Sequence, residues 1–150
     1  MQLFVNSVDL EHRLDWLPDW LAERGAASSL DRAHELREAL RSLLVANGGG
    51  ALDPGAVEIV DRAAARLSIR LEPDGRPRVG SADGDPLDRV VAVSLEAMLD
   101  GTWQRLKACR NCRWAFYDYS RNRSATWCSM QLCGNRTKTR AYRRRRRGGS

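Results

Sequence analysis

The feature that most constrains this 150-residue chain is the placement of its four cysteines. They stand as Cys109-x2-Cys112, a gap of fifteen residues, and Cys128-x4-Cys133. Two close thiol pairs joined by one loop are how a short segment delivers four sulfurs to a single tetrahedral Zn2+. With every coordination position taken by protein, such an ion has no open site for water and is structural. The same four thiols would pair as disulfides in an oxidising compartment. The N-terminus, MQLFVNSVDLEH, lacks a basic stretch followed by an apolar core and so reads as no secretory signal. A reducing cytosol favours the metal.

Charge divides the chain near the same place. Residues 102–150 carry 14 Lys/Arg against one acid, Asp118, a net of +13; residues 1–101 carry 11 against 18, a net of −7. This asymmetry predicts a polyanion-binding end on an acidic body, with contact confined to the C-terminal part. The 43% of hydrophobic residues is ordinary for a folded protein and too many for a disordered one. No apolar run approaches the roughly 18 residues needed to cross a bilayer, so a membrane is not an expected partner.

Residues 1–101 read as a mostly helical α+β domain with one β-hairpin. Leu3-Phe4-Val5 is a short strand or a first helical turn. Pro18 suits the first turn of a short helix that Gly25 ends, with Trp16 and Trp20 as core anchors. Ser28 and Asp31 resemble a capping box before the apolar face Leu36, Leu40, Leu43, Leu44, which Asn47-Gly48-Gly49-Gly50 stops. Asp53-Pro54 restarts a helix whose expected buried stripe is Val57, Val60 and Ala64. Leu67, Ile69 and Leu71 alternate with polar residues, the period of a half-buried strand, and Pro73-Asp74-Gly75-Arg76 turns it toward Arg78-Val79. Asp85-Pro86 opens a third capped helix, which either stops at Gly101 or runs on through Trp103 and Leu106.

Residues 102–150 read as a treble-clef-like zinc finger with a basic arm. A knuckle carries Cys109 and Cys112. The aromatic strand Arg113–Tyr119 follows, then a turn through Ser120–Ser124 and a return leg Ala125–Trp127, then a helix start carrying Cys128 and Cys133. Trp114, Phe116 and Trp127 are expected to pack around the metal, with Tyr117 and Tyr119 on the opposite strand face. So small a unit has almost no core, and structural zinc, roughly 10–16 kcal/mol in finger peptides, must stabilise it. Beyond Cys133, Arg136, Arg140, Arg143 or Arg144, and Arg147 lie at helical steps along one side, joined by Lys138. If about six such cations meet phosphates, log K falls with log salt at a slope near −5. Arg121 and Arg123 at the turn offer further phosphate contacts. Asn122 and Asn135 are either base-edge readers or local turn and helix-start residues.

These residues resemble the CGNR zinc-finger family, whose signature stands here as Cys133-Gly134-Asn135-Arg136. The likeness spans about Gly101 to Arg147, including Gly101-Thr102-Trp103, Phe116-Tyr117-Asp118, Ser120-Arg121-Asn122-Arg123 and Trp127-Cys128-Ser129-Met130. Phe4-Val5-Asn6-Ser7 and Leu36-Arg37-Glu38-Ala39-Leu40 look like pieces of the ABATE-type domain that usually precedes such a finger. Two departures stand out: Cys109 and Cys112 are closer than the family's usual first pair, and Ala125-Thr126 replace basic residues often found before Trp-Cys. The resemblance implies a bacterial, stress-linked, DNA-binding transcription regulator of the cytoplasm and nucleoid. Its N-terminal domain is expected to take a small-molecule ligand, for which Asn6 and Arg37 are the candidate pocket residues. An RNA-binding or ribosome-associated module is the alternative, because basic zinc units with aromatics also stack on unpaired bases. The chain has no His-Glu-x-x-His, nucleophile elbow or phosphate loop and only His12 and His34, so an enzyme is not expected.

Overall fold

The computed structural model describes residues 1–26, 29–81 and 83–147, for Arg147 the backbone alone. Its axis is the longest helix, α3 (Leu30–Asn47), in which Leu36, Leu40, Leu43 and Leu44 recur at helical spacing and are buried. Each such leucine contributes on the order of 1.5–3 kcal/mol by leaving water. Ser28, the first residue of the expected capping box, lies outside the described residues. The helix stops at Gly48, and Gly49 then takes φ +87°, a left-handed turn that a side chain would strain.

Around this axis the chain packs α1 (Gln2–Val5), the two-residue strands β1 (Val8–Asp9) and β2 (Leu14–Asp15), and α2 (Leu17–Ala22). Helices α4 (Pro54–Ala64) and α5 (Pro86–Leu99) begin as the sequence predicts. The Asp53 carboxylate accepts the Gly55 N–H at 3.0 Å, and that of Asp85 accepts the Leu87 N–H at 2.8 Å. Phe4, Leu17, Leu21, Leu40, Leu44, Val60, Leu87 and Val91 form one core with α3 at its centre. Of the two endings expected for α5, the earlier one holds: Gly101 turns at φ +78°, and Trp103 opens a 3-10 turn (Trp103–Arg105) with its indole in the core.

Several expected core residues face solvent. Trp16 precedes the first turn of α2 and is exposed, while Trp20 is half-buried against Phe4, ring centroids 5.0 Å apart. Val57 is exposed and Ala56 takes its buried place on α4. Strand β3 (Ser68–Leu71) does pair with β4 (Pro77–Gly80), but Ile69 and Leu71 are 71% and 74% exposed. The hairpin turns Ser68, Arg70 and Arg78 toward Arg89 and Glu96 of α5 across a cavity of about 510 Å3, which Val79, Ala92 and Val93 also line, and leaves Ile69 and Leu71 in solvent.

The last sheet differs from the expected hairpin. Strand β6 (Ala115–Tyr117) pairs with β5 (Leu106–Ala108), on the far side of the first cysteine pair, and Ala125–Trp127 forms no strand. The cysteine knuckle is itself the turn of this hairpin, closed by Arg113 at φ +63°. The sheet works as a shared wall. Ala108 and Ala115, directly paired, lie in the helical core, whereas Phe116 belongs to the cysteine cluster on the other face. Two alanines at the pairing position leave room for α3 to approach. Asn47 at the end of α3 donates to the carbonyls of Trp103 and Leu106 at 2.8 and 2.9 Å, and Arg41 donates to that of Arg113 at 2.9 Å.

Candidate metal centre and nucleic-acid interface

The sulfurs of Cys109, Cys112, Cys128 and Cys133 all lie within 4.8 Å of one another. Cys112 is 3.6 Å from both Cys128 and Cys133, and Cys128 is 3.7 Å from Cys133. A tetrahedral Zn2+ with bonds near 2.3 Å sets its ligands about 3.8 Å apart. All four cysteines are free thiols. The spacing and the soft donors fit one structural Zn2+, and they leave no protein-free position on it.

The electrostatics call for a cation. Burial and the neighbouring thiols push Cys112 up to about 11, and the same causes raise Cys128 further. Burial also opposes the Cys109 thiolate, yet the backbone N–H groups of Cys112, Cys128 and Asn111 bring it down to about 7. Four thiolates cannot coexist there unless a positive ion balances them. The Asn111 amide adds a contact from outside, donating to the Cys133 sulfur at 3.5 Å.

The loop between β6 and Cys128 is held by a buried ion pair that sequence reading missed. The Lys107 ammonium meets Asp118 at 2.7 Å and also donates to the carbonyls of Arg123 and Ala125. Asp118, 1% exposed, further accepts the N–H groups of Ser120 and Ala125, both at 2.9 Å. Burial raises its carboxyl, but Lys107 and these N–H groups outweigh that and hold it far below the usual range. The signal was available, since Asp118 is the sole acid in a strongly basic segment.

After Cys128, the Ser129 hydroxyl accepts the Leu132 N–H at 3.2 Å and starts a π turn (Met130–Gly134) that carries Cys133. A side chain at Gly134 would meet the Met130 thioether and the Trp127 indole, the latter at 3.3 Å. The turn runs directly into α6 (Asn135–Arg147), tied back by the Thr137 hydroxyl donating to the Cys133 carbonyl at 2.9 Å.

The expected nucleic-acid residues fall into three groups. Arg121, Asn122 and Arg123 are exposed on the loop after β6, and Asn135 and Lys138 are exposed on α6. Arg136 pairs with Glu11 of the N-terminal region. Arg140, Arg143 and Arg144 line a groove of about 610 Å3 with Arg110, Asn111, Trp127 and Thr137. The Arg147 side chain lies outside the described residues. Of the expected aromatic packing, Phe116 and Trp127 join the cysteine cluster, while Trp114 is 37% exposed. Tyr119 is exposed and its ring meets that of Tyr117 at a tilt of 54°, centroids 4.7 Å apart.

Asn6 and Arg37 are both buried and engaged within the chain. Asn6 brackets one residue of β6, donating to the Ala115 carbonyl at 2.9 Å and accepting its N–H at 2.7 Å. The Arg37 guanidinium is clamped by Asp15 at 2.7 and 2.9 Å, and by Glu38 at 2.8 Å. Asp15 is held below its ordinary pKa chiefly by that Arg37 bond. Among the described residues every buried side-chain nitrogen or oxygen has a partner. No helix among them is long and apolar enough to cross a membrane.

No curated protein matches this sequence. The family model of the CGNR zinc finger matches residues 105–146, enclosing all four cysteines. The ABATE model, described as a "putative stress-induced transcription regulator", matches residues 3–120 and so runs through the shared wall of β5 and β6. A zinc finger and a transcription regulator are not enzyme families. With most of its length on one model and its thiol cluster inside the other, the chain belongs to the ABATE family and carries a C-terminal CGNR zinc finger.

Proposed function

We propose that this is a DNA-binding transcription regulator of the bacterial cytoplasm and nucleoid, in which a structural zinc aims α6 at the phosphate backbone. The observation that carries the reading is the direct run from Cys133 through one π turn into a helix holding eight Lys/Arg and no acid. Such a helix repels itself in isolation, and phosphates offset that repulsion by counterion release. An unsupported tail would pay the ordering cost at each encounter, whereas a metal-fixed start reduces it.

The N-terminal domain supports a ligand-sensing role through an apolar cavity of about 320 Å3 between α3, α4 and α5. Leu43, Val60, Leu95, Met98 and Trp103 line it, beside Asn47. A small apolar ligand there rests on the residues that anchor the start of β5, the route by which it would favour one finger position over another. The exposed Tyr119 ring favours the second reading, an RNA-binding module, because such rings take unpaired bases. Competition between duplex DNA and structured RNA for the zinc-loaded chain at matched salt decides. The DNA reading expects duplex to win and the affinity to fall steeply with salt. Preference for RNA overturns it.

A further inference from the structure

The two residues between the first cysteines, Arg110 and Asn111, line the groove beside α6. Arg110 forms one wall, its guanidinium placed there by a bond to the Gly48 carbonyl at 2.8 Å, at the end of α3. Thr137, Arg140, Arg143 and Arg144 form the other, with Arg140 three residues after Thr137 and the last two three and four residues after Arg140. Trp127 gives the groove an apolar surface, and among the described residues no carboxylate lines it. Asn111 ties the walls to the metal: its amide donates to the Cys133 sulfur and accepts from Arg140 at 3.2 Å. Arg136 is by contrast occupied by Glu11.

Four guanidiniums around one groove repel until an anion enters, and their planar forks match phosphate oxygens. We propose that one phosphodiester strand of a duplex seats in this groove, gripped by Arg110 from the knuckle and by Arg140, Arg143 and Arg144 from α6. The helix then meets DNA through its metal-facing side, and its outer rows stay in solvent. This rests on the DNA-binding reading above. It makes Arg110, which carries no signal in the arginine run, a contact residue. It also means that the metal sets the width of the groove through Asn111.

The test compares two double variants of the full-length, zinc-loaded chain by fluorescence anisotropy on a duplex across a salt series. Arg140→Gln with Arg144→Gln removes two groove charges; Arg145→Gln with Arg146→Gln removes two exposed charges outside it. The groove pair is expected to weaken binding at least about 30-fold and flatten the salt slope by about 2, the outer pair less than about 5-fold. Arg110→Gln alone should cost about tenfold with zinc content unchanged. Because that variant also loses its Gly48 contact, the helix doubles decide. An outer pair that costs as much as the groove pair overturns the groove while the DNA-binding reading stands. A wild-type chain that binds no duplex overturns that reading and the groove with it.

Discussion

Replacing Asp118 by asparagine perturbs the finger while leaving every cysteine in place. The carboxylate is 1% exposed and faces Lys107, itself 5% exposed, at 2.7 Å. Removing one partner of a buried pair strands the other charge, at a cost of about 3–5 kcal/mol. The asparagine amide also puts a donor where the Ala125 or Ser120 N–H already donates. The damaged loop leads to Cys128, and Arg110 donates its backbone N–H to the Thr126 carbonyl at 3.1 Å beside it. Loop closure and metal capture should therefore act as one event. At about 1.4 kcal/mol per decade, zinc affinity should fall between about 100-fold and about 4,000-fold. Competition against a chromogenic chelator measures this, and adding Lys107→Met should recover much of the loss, since the stranded charge is gone. Zinc affinity within about threefold of wild type would refute the reasoning.

Asn6→Ala should leave the buried N–H of Ala115 without a partner and its carbonyl with Gln2 alone, costing about 1–3 kcal/mol and lowering Tm by roughly 3–10 °C. An unchanged melt would mean that the α1 end does not hold β6. Asp15 has its folded pKa depressed by Arg37, so its contribution is present above the unfolded value near 3.9 and is lost as pH falls through the folded one. The stability gap between wild type and Asp15→Asn should therefore be widest near neutral pH and close toward pH 3, read from urea midpoints. A gap constant with pH contradicts the pairing.

What was legible in the sequence was what local chemistry decides. The cysteine spacing, the two Asp-Pro helix starts and the glycine stops each act over a few residues, and each stands where expected. What was not legible depends on neighbours distant in the chain. Strand β5 is three residues long and has no pattern of its own; it exists because Asn47 and β6 satisfy its backbone. Ile69 and Leu71 alternate as a half-buried strand does, yet alternation fixes only that two faces differ, and among the described residues no element covers the face these two occupy. Arg37 was expected in a ligand pocket, and Arg41 carried no expectation. They are buried because Asp15 and the carbonyls of Val5 and Arg113 surround them. The groove was half visible, since helical spacing aligned Arg140 with Arg144 but could not place Arg110 opposite them.

Zinc stoichiometry and duplex affinity, measured on one preparation before and after chelation, bear most directly on the central claim. The account requires one ion per chain and a grip on DNA that vanishes when the ion is stripped and returns when it is restored. Protein purified without zinc, or metal-free protein that holds the duplex as tightly as before, would contradict it.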